Sequence, residues 1–253
     1  MFMTYCIAAS IHEGLILVSD SRTNAGIDHV STHGKMHAFD TISDRKIVLL
    51  CAGNLATTQA VLEQLHRDKI KNTKINFNTV ESLFEAAEYL GHVSVEKQKQ
   101  HTSSQGKSAF NPSASFILAG QIGTDPHGAY MVYSEGNSIT SSANTPFLQI
   151  GESKYGKPIL DRFLKLNTSI DEAARCCLVS MDSTIRSNAS VGAPVEMLIY
   201  RKNSFSLNEY YCFDDDDDYM LRLRRSWETK LREAIAALPT LDKGSVRPMR
   251  VDL

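Results

Sequence analysis

Three residues near the start of the chain, Thr4, Asp20 and Lys35, have the chemistry to build a nucleophile. A threonine hydroxyl attacks a carbonyl only once a base takes its proton. A threonine that becomes the first residue of a mature chain carries that base as its own α-amine. An unperturbed α-amine has a pKa of roughly 7.7 to 8.0. A nearby lysine ammonium lowers that pKa further, and a carboxylate keeps the lysine charged and in place.

The sequence around Thr4 predicts a β-hairpin that brings these groups together. Residues 4–9 (TYCIAA) and 14–20 (GLILVSD) are typical of strands, and the SIHE segment between them is typical of a turn. The hairpin returns Asp20 to the end of the strand pair where Thr4 lies. The spacing alone still favours a plainer interpretation, in which Thr4 is an ordinary strand residue, Asp20 forms a turn and Lys35 is a solvated surface charge.

A set of longer motifs changes that balance. Besides the threonine near the N-terminus, the chain contains SDSRTNAG at 19–26, GKM at 34–36, CAGNLATTQAV at 51–61, QIGESKYGKPIL at 149–160 and SNASVGAP at 187–194. In this order they resemble the proteasome β-type subunits of the N-terminal-nucleophile (Ntn) hydrolase superfamily, and within it the bacterial Anbu family. Any one motif is weak evidence, but several in order, spread through nearly the whole chain, are specific.

The resemblance implies an α+β fold, a four-layer αββα sandwich like that of proteasome β-subunits. It implies that Thr4 is the nucleophile and that Asp20 and Lys35 set the field around its amine. Acyl transfer also needs a donor aimed at the developing oxyanion. The resemblance assigns that role to the N–H of Gly53, which is equally explained as a glycine at a helix start; the two roles are compatible.

Three further residues are implied in support of the terminal amine: Ser153, Asn188 and Ser190. They lie where relatives carry hydroxyls and a carboxylate. Asn188 departs from the pattern, because proteasome subunits usually have aspartate near this position. An asparagine can hydrogen-bond but supplies no negative charge, so the tuning of the amine is the weakest part of the match.

The implied activity is that of an N-terminal-threonine peptidase or amidohydrolase. It would cleave peptide or isopeptide bonds through an acyl-enzyme on Thr4, within a homo-oligomer that forms a ring or an open helix. No metal ion or organic cofactor is implied, and the sequence identifies no ATP-dependent partner.

Two alternatives stay open. One is a catalytically silent assembly subunit of a proteasome-like particle, and the other is an amide-transfer enzyme. The first is motivated by Phe2: methionine aminopeptidases remove a leading methionine before a small residue, so a chain started at Met1 would keep Thr4 internal. A chain started at Met3 would expose Thr4.

Size and composition fit a single folded domain over residues 1–253, with a closing helix at about 219–238 and a loose tail at 242–253. Hydrophobic residues make up 42% of the chain and charged residues 22%, as in ordinary globular proteins. A net charge of −2 argues against a nucleic-acid partner, which would need a clustered basic face. With no apolar run of about 20 residues, no secretory signal and five cysteines without a CxxC pair, we expect no membrane span and a cytoplasmic protein.

Capping signals predict where several helices begin. Asn54 precedes the first helix, which would run to about Asp68. Asn78 with Glu81, and Ser169 with Glu172, have the spacing of capping boxes. A short helix is predicted from Ser153 to Leu164.

Two clusters of potential metal ligands favour structural roles. His33 and His37 would lie in a strand about 13 Å apart, too far to share a metal. The aspartates at 214–218 have the hard oxygens that suit Mg or Ca. The better interpretation is that they stabilise the N-terminus of the closing helix.

Overall fold

The computed structural model describes residues 4–24, 30–39, 42–103 and 111–241. Within these ranges the chain forms twelve strands and five helices. The strands are β1 Tyr5–Ile11, β2 Gly14–Asp20, β3 Arg22–Asn24, β4 Val30–Thr32, β5 Met36–Phe39, β6 Arg45–Gly53, β7 Ala114–Ile122, β8 Gly128–Val132, β9 Ser138–Thr140, β10 Phe147–Gly151, β11 Val195–Arg201 and β12 Glu209–Phe213. The helices are α1 Leu55–Ile70, α2 Leu83–Ser103, α3 Lys157–Phe163, α4 Ile170–Ser187 and α5 Asp218–Ala236.

Two antiparallel five-stranded sheets form the centre of residues 1–217, which make one compact unit. The first has the order β10-β1-β2-β11-β12 and the second the order β5-β6-β7-β8-β9, while β3 and β4 form a separate hairpin. Helices α1 and α2 pack on the second sheet, α4 packs on β1 and β2 of the first, and α3 contacts α4. The predicted four-layer αββα sandwich is therefore confirmed.

The strands that carry the site are buried on both faces. Every residue of β2 is buried, so its sequence (GLILVSD) is continuously apolar up to its last two residues instead of alternating. One face of β1, β2 and β11 packs against β6, β7 and β8 in a core between the sheets that includes Leu17, Leu50, Ile117 and Leu198. A second core lies between α1, α2 and the outer face of the second sheet.

Two helix starts agree with the sequence. Asn54 caps α1, because its side chain accepts a hydrogen bond from the N–H of Thr57 (3.1 Å). Ser169 and Glu172 form the predicted capping box of α4. This helix presents an apolar stripe to the first sheet, and it ends at Ser187 with Asn188 as its C-cap.

Two other starts are wrong. The second helix begins at Leu83, not after Asn78, because the oxygen of Asn76 binds the N–H of Asn78 in a preceding turn (2.8 Å) and Ser82 supplies the helix cap to Glu85 (3.2 Å). The third helix begins at Lys157, where Pro158 suits the first turn. The segment at 152–156 remains irregular.

Other predictions were wrong or incomplete. His33 precedes β5, so it does not share a strand with His37. Strands β3, β4, β9 and β10 were not predicted.

Residues 218–253 form a second compact unit, of which residues up to 241 are described. Its helix α5 begins at Asp218, one residue before the predicted start, so the acidic run does lead into a helix N-terminus. The helix ends at Ala236. The predicted loose tail at 242–253 lies outside the described residues, and the single-domain assignment stays a prediction.

In the described part of the chain, no helix has the length and apolar character needed to cross a bilayer. The same residues contain no group of three or more metal-ligating side chains placed to hold an ion. All five cysteines are free thiols, and Cys212 alone among them is exposed.

The core between the sheets should dominate stability. We expect Leu17→Ala, at a side chain that is 1% exposed, to lower the free energy of unfolding by about 2–5 kcal/mol, because it leaves a cavity. Leu241→Ala, the same substitution at a residue that is 96% exposed, should change it by less than about 0.5 kcal/mol. Urea unfolding at one fixed protein concentration measures both. If both variants lost the same free energy of unfolding, Leu17 would not belong to the core between the sheets.

Candidate active site

Thr4 directly precedes β1, a strand of the first sheet that lies between β10 and β2. Its side chain is buried. The carbonyl of Thr4 accepts a hydrogen bond from the N–H of Glu152, just after β10 (2.6 Å). Thr4 is thus held by backbone pairing at the end of the sheet.

Asp20 ends β2 beside Thr4, as the predicted hairpin required. It is fully buried, and three groups donate hydrogen bonds to its carboxylate. The N–H of Tyr5 (3.0 Å) and the ammonium of Lys35 (2.6 Å) both bind Oδ1, and the N–H of Gly192 (3.3 Å) binds Oδ2. Asp20 Oδ1 therefore bridges the Lys35 ammonium and the N–H of the peptide bond that follows Thr4.

Lys35 is 7% exposed, so its plainer interpretation as a solvated surface charge is wrong. Its ammonium also donates to the carbonyl of Arg22 (2.7 Å). Its own carbonyl accepts from the N–H of Cys51 on β6 (2.9 Å), which ties the lysine to the second sheet. The lysine is anchored to both sheets.

The electrostatics of this pair combine burial with compensation. Burial raises the pKa of Asp20 above its ordinary value, and Lys35 and the N–H groups of Tyr5 and Gly192 oppose that rise. A buried charge is tolerated only when it is paired and hydrogen-bonded. The arrangement therefore holds a positive charge at a fixed place next to Thr4.

Gly53 ends β6, two residues beyond Cys51, and is followed by the cap of α1. It has a φ of +112°, and a Cβ atom there would lie 2.4 Å from the carbonyl oxygen of Ser113. Glycine is thus required by the backbone alone. Its assignment as oxyanion donor stays a prediction.

Asn188 and Ser190 are linked to Glu152 by hydrogen bonds, and the third supporting residue, Ser153, is its neighbour in sequence. Asn188 donates from Nδ2 to the carboxylate of Glu152 (3.2 Å) and accepts at Oδ1 from the N–H of Ser190 (3.0 Å). Ser153 follows Glu152, and its side chain is exposed. Asn188 and Ser190 belong to the same loop as Gly192, which binds Asp20.

Sequence reasoning missed three contributors: Tyr5, Glu152 and Gly192. Tyr5 and Gly192 contribute through backbone N–H groups, which leave no signal in side-chain type. Glu152 lies inside the motif QIGESK, so its carboxylate was visible, but the strand β10 that places it beside Thr4 was not predicted.

The two thiols near the site are poor rival nucleophiles. Cys6 and Cys51 are buried, and burial raises the pKa of each thiol well above its ordinary value. A thiol that keeps its proton reacts slowly.

Comparison with known proteins agrees with the fold. A profile described as "Proteasome subunit" matches residues 4–200, which is more than half of the chain. The chain belongs to the proteasome-subunit family. Solved structures of Anbu proteins are similar to the chain, as the sequence resemblance implied.

Three solved Anbu structures illustrate the similarity. Anbu (ancestral beta-subunit) from Yersinia bercovieri is 41% identical, with a TM-score of 0.89 over 95% of this chain and 100% of that one. A structure titled "Helical Assembly of the Anbu Complex from Pseudomonas aeruginosa" is also 41% identical, with a TM-score of 0.89 and coverage of 96% and 100%. Anbu from Hyphomicrobium sp. strain MC1 is 35% identical, with a TM-score of 0.84 and coverage of 94% and 99%. No curated protein sequence matches the chain.

The buried ion pair generates a stability prediction for this proteasome-family subunit. Lys35→Met should lower the free energy of unfolding by about 3 kcal/mol at pH 7, because it leaves the Asp20 carboxylate buried without its cation. Unfolded Asp20 ionises near pH 3.9, whereas the stranded buried carboxyl keeps its proton to higher pH. The loss should therefore be small near pH 4 and grow as the pH rises.

Unfolding curves at several pH values test this, with Lys35→Met/Asp20→Asn as the control. The double variant should lose at least about 1 kcal/mol less than the sum of the two single variants. A loss from Lys35→Met that does not change with pH would contradict the coupling of the two residues.

Proposed function

We propose that this chain is an N-terminal-threonine hydrolase that cleaves peptide or isopeptide bonds. The observation that carries the proposal is the buried Asp20 carboxylate. It binds the Lys35 ammonium and, through the same oxygen, the N–H of the residue that follows Thr4. Family membership supports the same chemistry.

The proposed reaction begins once Thr4 is the first residue. Its α-amine takes the hydroxyl proton as Oγ attacks the substrate carbonyl. The charge that develops on the carbonyl oxygen is stabilised by the N–H of Gly53. The C–N bond breaks, the ammonium returns its proton to the leaving amine, and an ester to Thr4 Oγ remains. Water, deprotonated by the same amine, then hydrolyses the ester and regenerates the hydroxyl.

The buried pair favours an active enzyme over a silent assembly subunit. Burying an ion pair is often no better for stability than packing apolar side chains of similar volume. Asp20 and Lys35 therefore add little to a protein whose role is only to assemble. They are useful where a fixed positive charge must tune an amine.

The proposal includes assembly with further copies of the chain. A related Anbu complex is described as a helical assembly. Within residues 218–241, helix α5 carries Leu231 and Ile235 on its surface and Leu238 follows just after the helix; these residues are 43%, 68% and 61% exposed. Large apolar side chains grouped on one helix are typical of an interface. We place the enzyme in the reducing cytoplasm, where its five free thiols persist.

The catalytic role of Lys35 is tested by acylation. A chain that begins at Thr4 should react with a peptide β-lactone, which acylates a threonine hydroxyl, and Lys35→Met should slow that reaction by at least about 100-fold. The matched control is Lys46→Met, at another buried lysine, which lies at the opposite end of β6. Intact-mass analysis at successive times gives the rates. Equal rates for Lys35→Met and the parent would refute the assigned role.

Assembly is tested by sedimentation. The parent should sediment at micromolar concentration as a species larger than its 28.1 kDa monomer. Ile235→Glu should shift it toward smaller species, because a charge would be buried at the interface. Leu241→Glu, outside the helix, is the control. A parent that sediments as a monomer would contradict the assembly, and an unchanged Ile235→Glu variant would exclude α5 from the interface.

A further inference from the structure

The nitrogen of Thr4 faces Glu152, on the side of β1 away from Asp20. In the β1–β10 ladder, Tyr5 pairs with Gly151, so Thr4 and Glu152 form the next pair, and the N–H of Glu152 binds the carbonyl of Thr4 (2.6 Å). In a hydrogen-bonded antiparallel pair, the two residues exchange N–H···O=C bonds, so the N–H of Thr4 points to the backbone of Glu152. The N–H of Tyr5 points the other way, to Asp20 (3.0 Å).

The side chain of Glu152 is held in place by two donors. Its Oε2 accepts from Asn188 Nδ2 (3.2 Å), and its Oε1 accepts from the N–H of Lys154 (3.0 Å). Asn188 is itself fixed, because its Oδ1 accepts from the N–H of Ser190 (3.0 Å). Two donors and a braced asparagine leave the carboxylate little freedom to turn away.

The loop that braces Glu152 also reaches Asp20. Gly192 in this loop donates its N–H to Asp20 Oδ2 (3.3 Å), and Arg22 donates to the carbonyl of Ala189 (2.8 Å). One short loop therefore fixes a carboxylate on each side of β1. Asp20 is neutralised by Lys35, whereas Glu152 is bound only by neutral donors among the contacts described above.

We propose that Glu152 is the positioning residue for the α-amine of Thr4. The carboxylate accepts one N–H of the amine, which fixes rotation about the N–Cα bond and leaves the lone pair directed at Oγ. It also supplies the negative charge that Asn188 lacks. The inference rests on the proposed function, since the amine exists only when Thr4 is the first residue.

The charge of Glu152 has a definite sign of effect. A nearby carboxylate favours the ammonium form and raises the amine pKa, while the Lys35 ammonium lowers it. Other charged groups on the segments around β1 include Arg22, Lys154, Asp182, Arg186 and Glu196, which accepts from Ser19 and Ser21 on either side of Asp20. Replacing Glu152 leaves all of these residues in the chain.

The amine pKa can be measured without any catalysis. Parent, Glu152→Gln and the control Glu63→Gln are each released from a ubiquitin fusion so that the chain begins at Thr4, which intact mass verifies. Glu63 forms an exposed pair with Arg67 on α1, so its replacement removes the same charge elsewhere. Competitive acetylation of the N-terminal peptide over a range of pH then gives the pKa of the Thr4 amine.

Glu152→Gln should lower that pKa by about half a unit or more and slow β-lactone acylation at pH 7 about ten-fold, while Glu63→Gln changes neither. Equal amine pKa values in the parent and Glu152→Gln would overturn the proposal. Because acetylation is independent of turnover, a lowered pKa in a chain that never reacts with the β-lactone would sink the hydrolase function but keep the charge assignment.

A transposed pair separates charge from structure. In Glu152→Gln/Asn188→Asp the glutamine at 152 donates and the aspartate at 188 accepts, so the hydrogen bond is kept with its direction reversed. The negative charge moves from position 152 to position 188. This variant should recover the amine pKa and most of the acylation rate. If Glu152→Gln is impaired and the transposed pair recovers neither, the residue acts through shape alone and the proposal fails.

Discussion

A single buried carboxylate organises the end of the sandwich where Thr4 lies. Asp20 has no exposure to solvent, so its charge must be met entirely by protein groups. The groups that meet it come from three other segments: the start of β1, the segment before β5 and the loop after α4. Each must be in place for the charge to be tolerated.

The sandwich makes this convergence feasible. Asp20 belongs to the first sheet, and the backbone of Lys35 is bound to β6 of the second, so the ion pair joins the two sheets at their end. The packing between the sheets sets the distance that the Lys35 side chain must span to reach Asp20. Stability of the fold and placement of the Lys35 charge are thus parts of one arrangement.

Local patterns predicted the parts of the structure that local chemistry determines. The first hairpin followed from two strand-like runs and a turn, and the caps at Asn54 and Ser169 followed from side chains that bind nearby N–H groups. The Asn78 signal gave a wrong helix start because asparagine is also common in tight turns. The N–H of Asn78 binds the side chain of Asn76 in such a turn. The Thr4, Asp20 and Lys35 set was found by residue type, but only the family resemblance outweighed the plainer interpretation.

What the sequence could not show depends on pairing over long distances. Strand β10 joins β1 across more than 100 residues, and no local pattern specifies that partner. Glu152 therefore had no visible connection to Thr4, and Asn188 looked like a missing charge. The structure shows instead that Asn188 binds a carboxylate that lies one residue away from the predicted Ser153.

The central claim is that the base is the terminal amine of Thr4, and the identity of the N-terminal residue tests it most directly. An internal threonine has an amide nitrogen with no basic lone pair, so it cannot activate its own hydroxyl. Chains expressed from Met1 and from Met3 should be compared by N-terminal mass spectrometry and by labelling with a threonine-directed acylating probe. The account predicts that the chain started at Met3 loses its methionine and is labelled at Thr4, and that the chain that keeps Met1 is not. Labelling of Thr4 in a chain that still carries Met1 would contradict it.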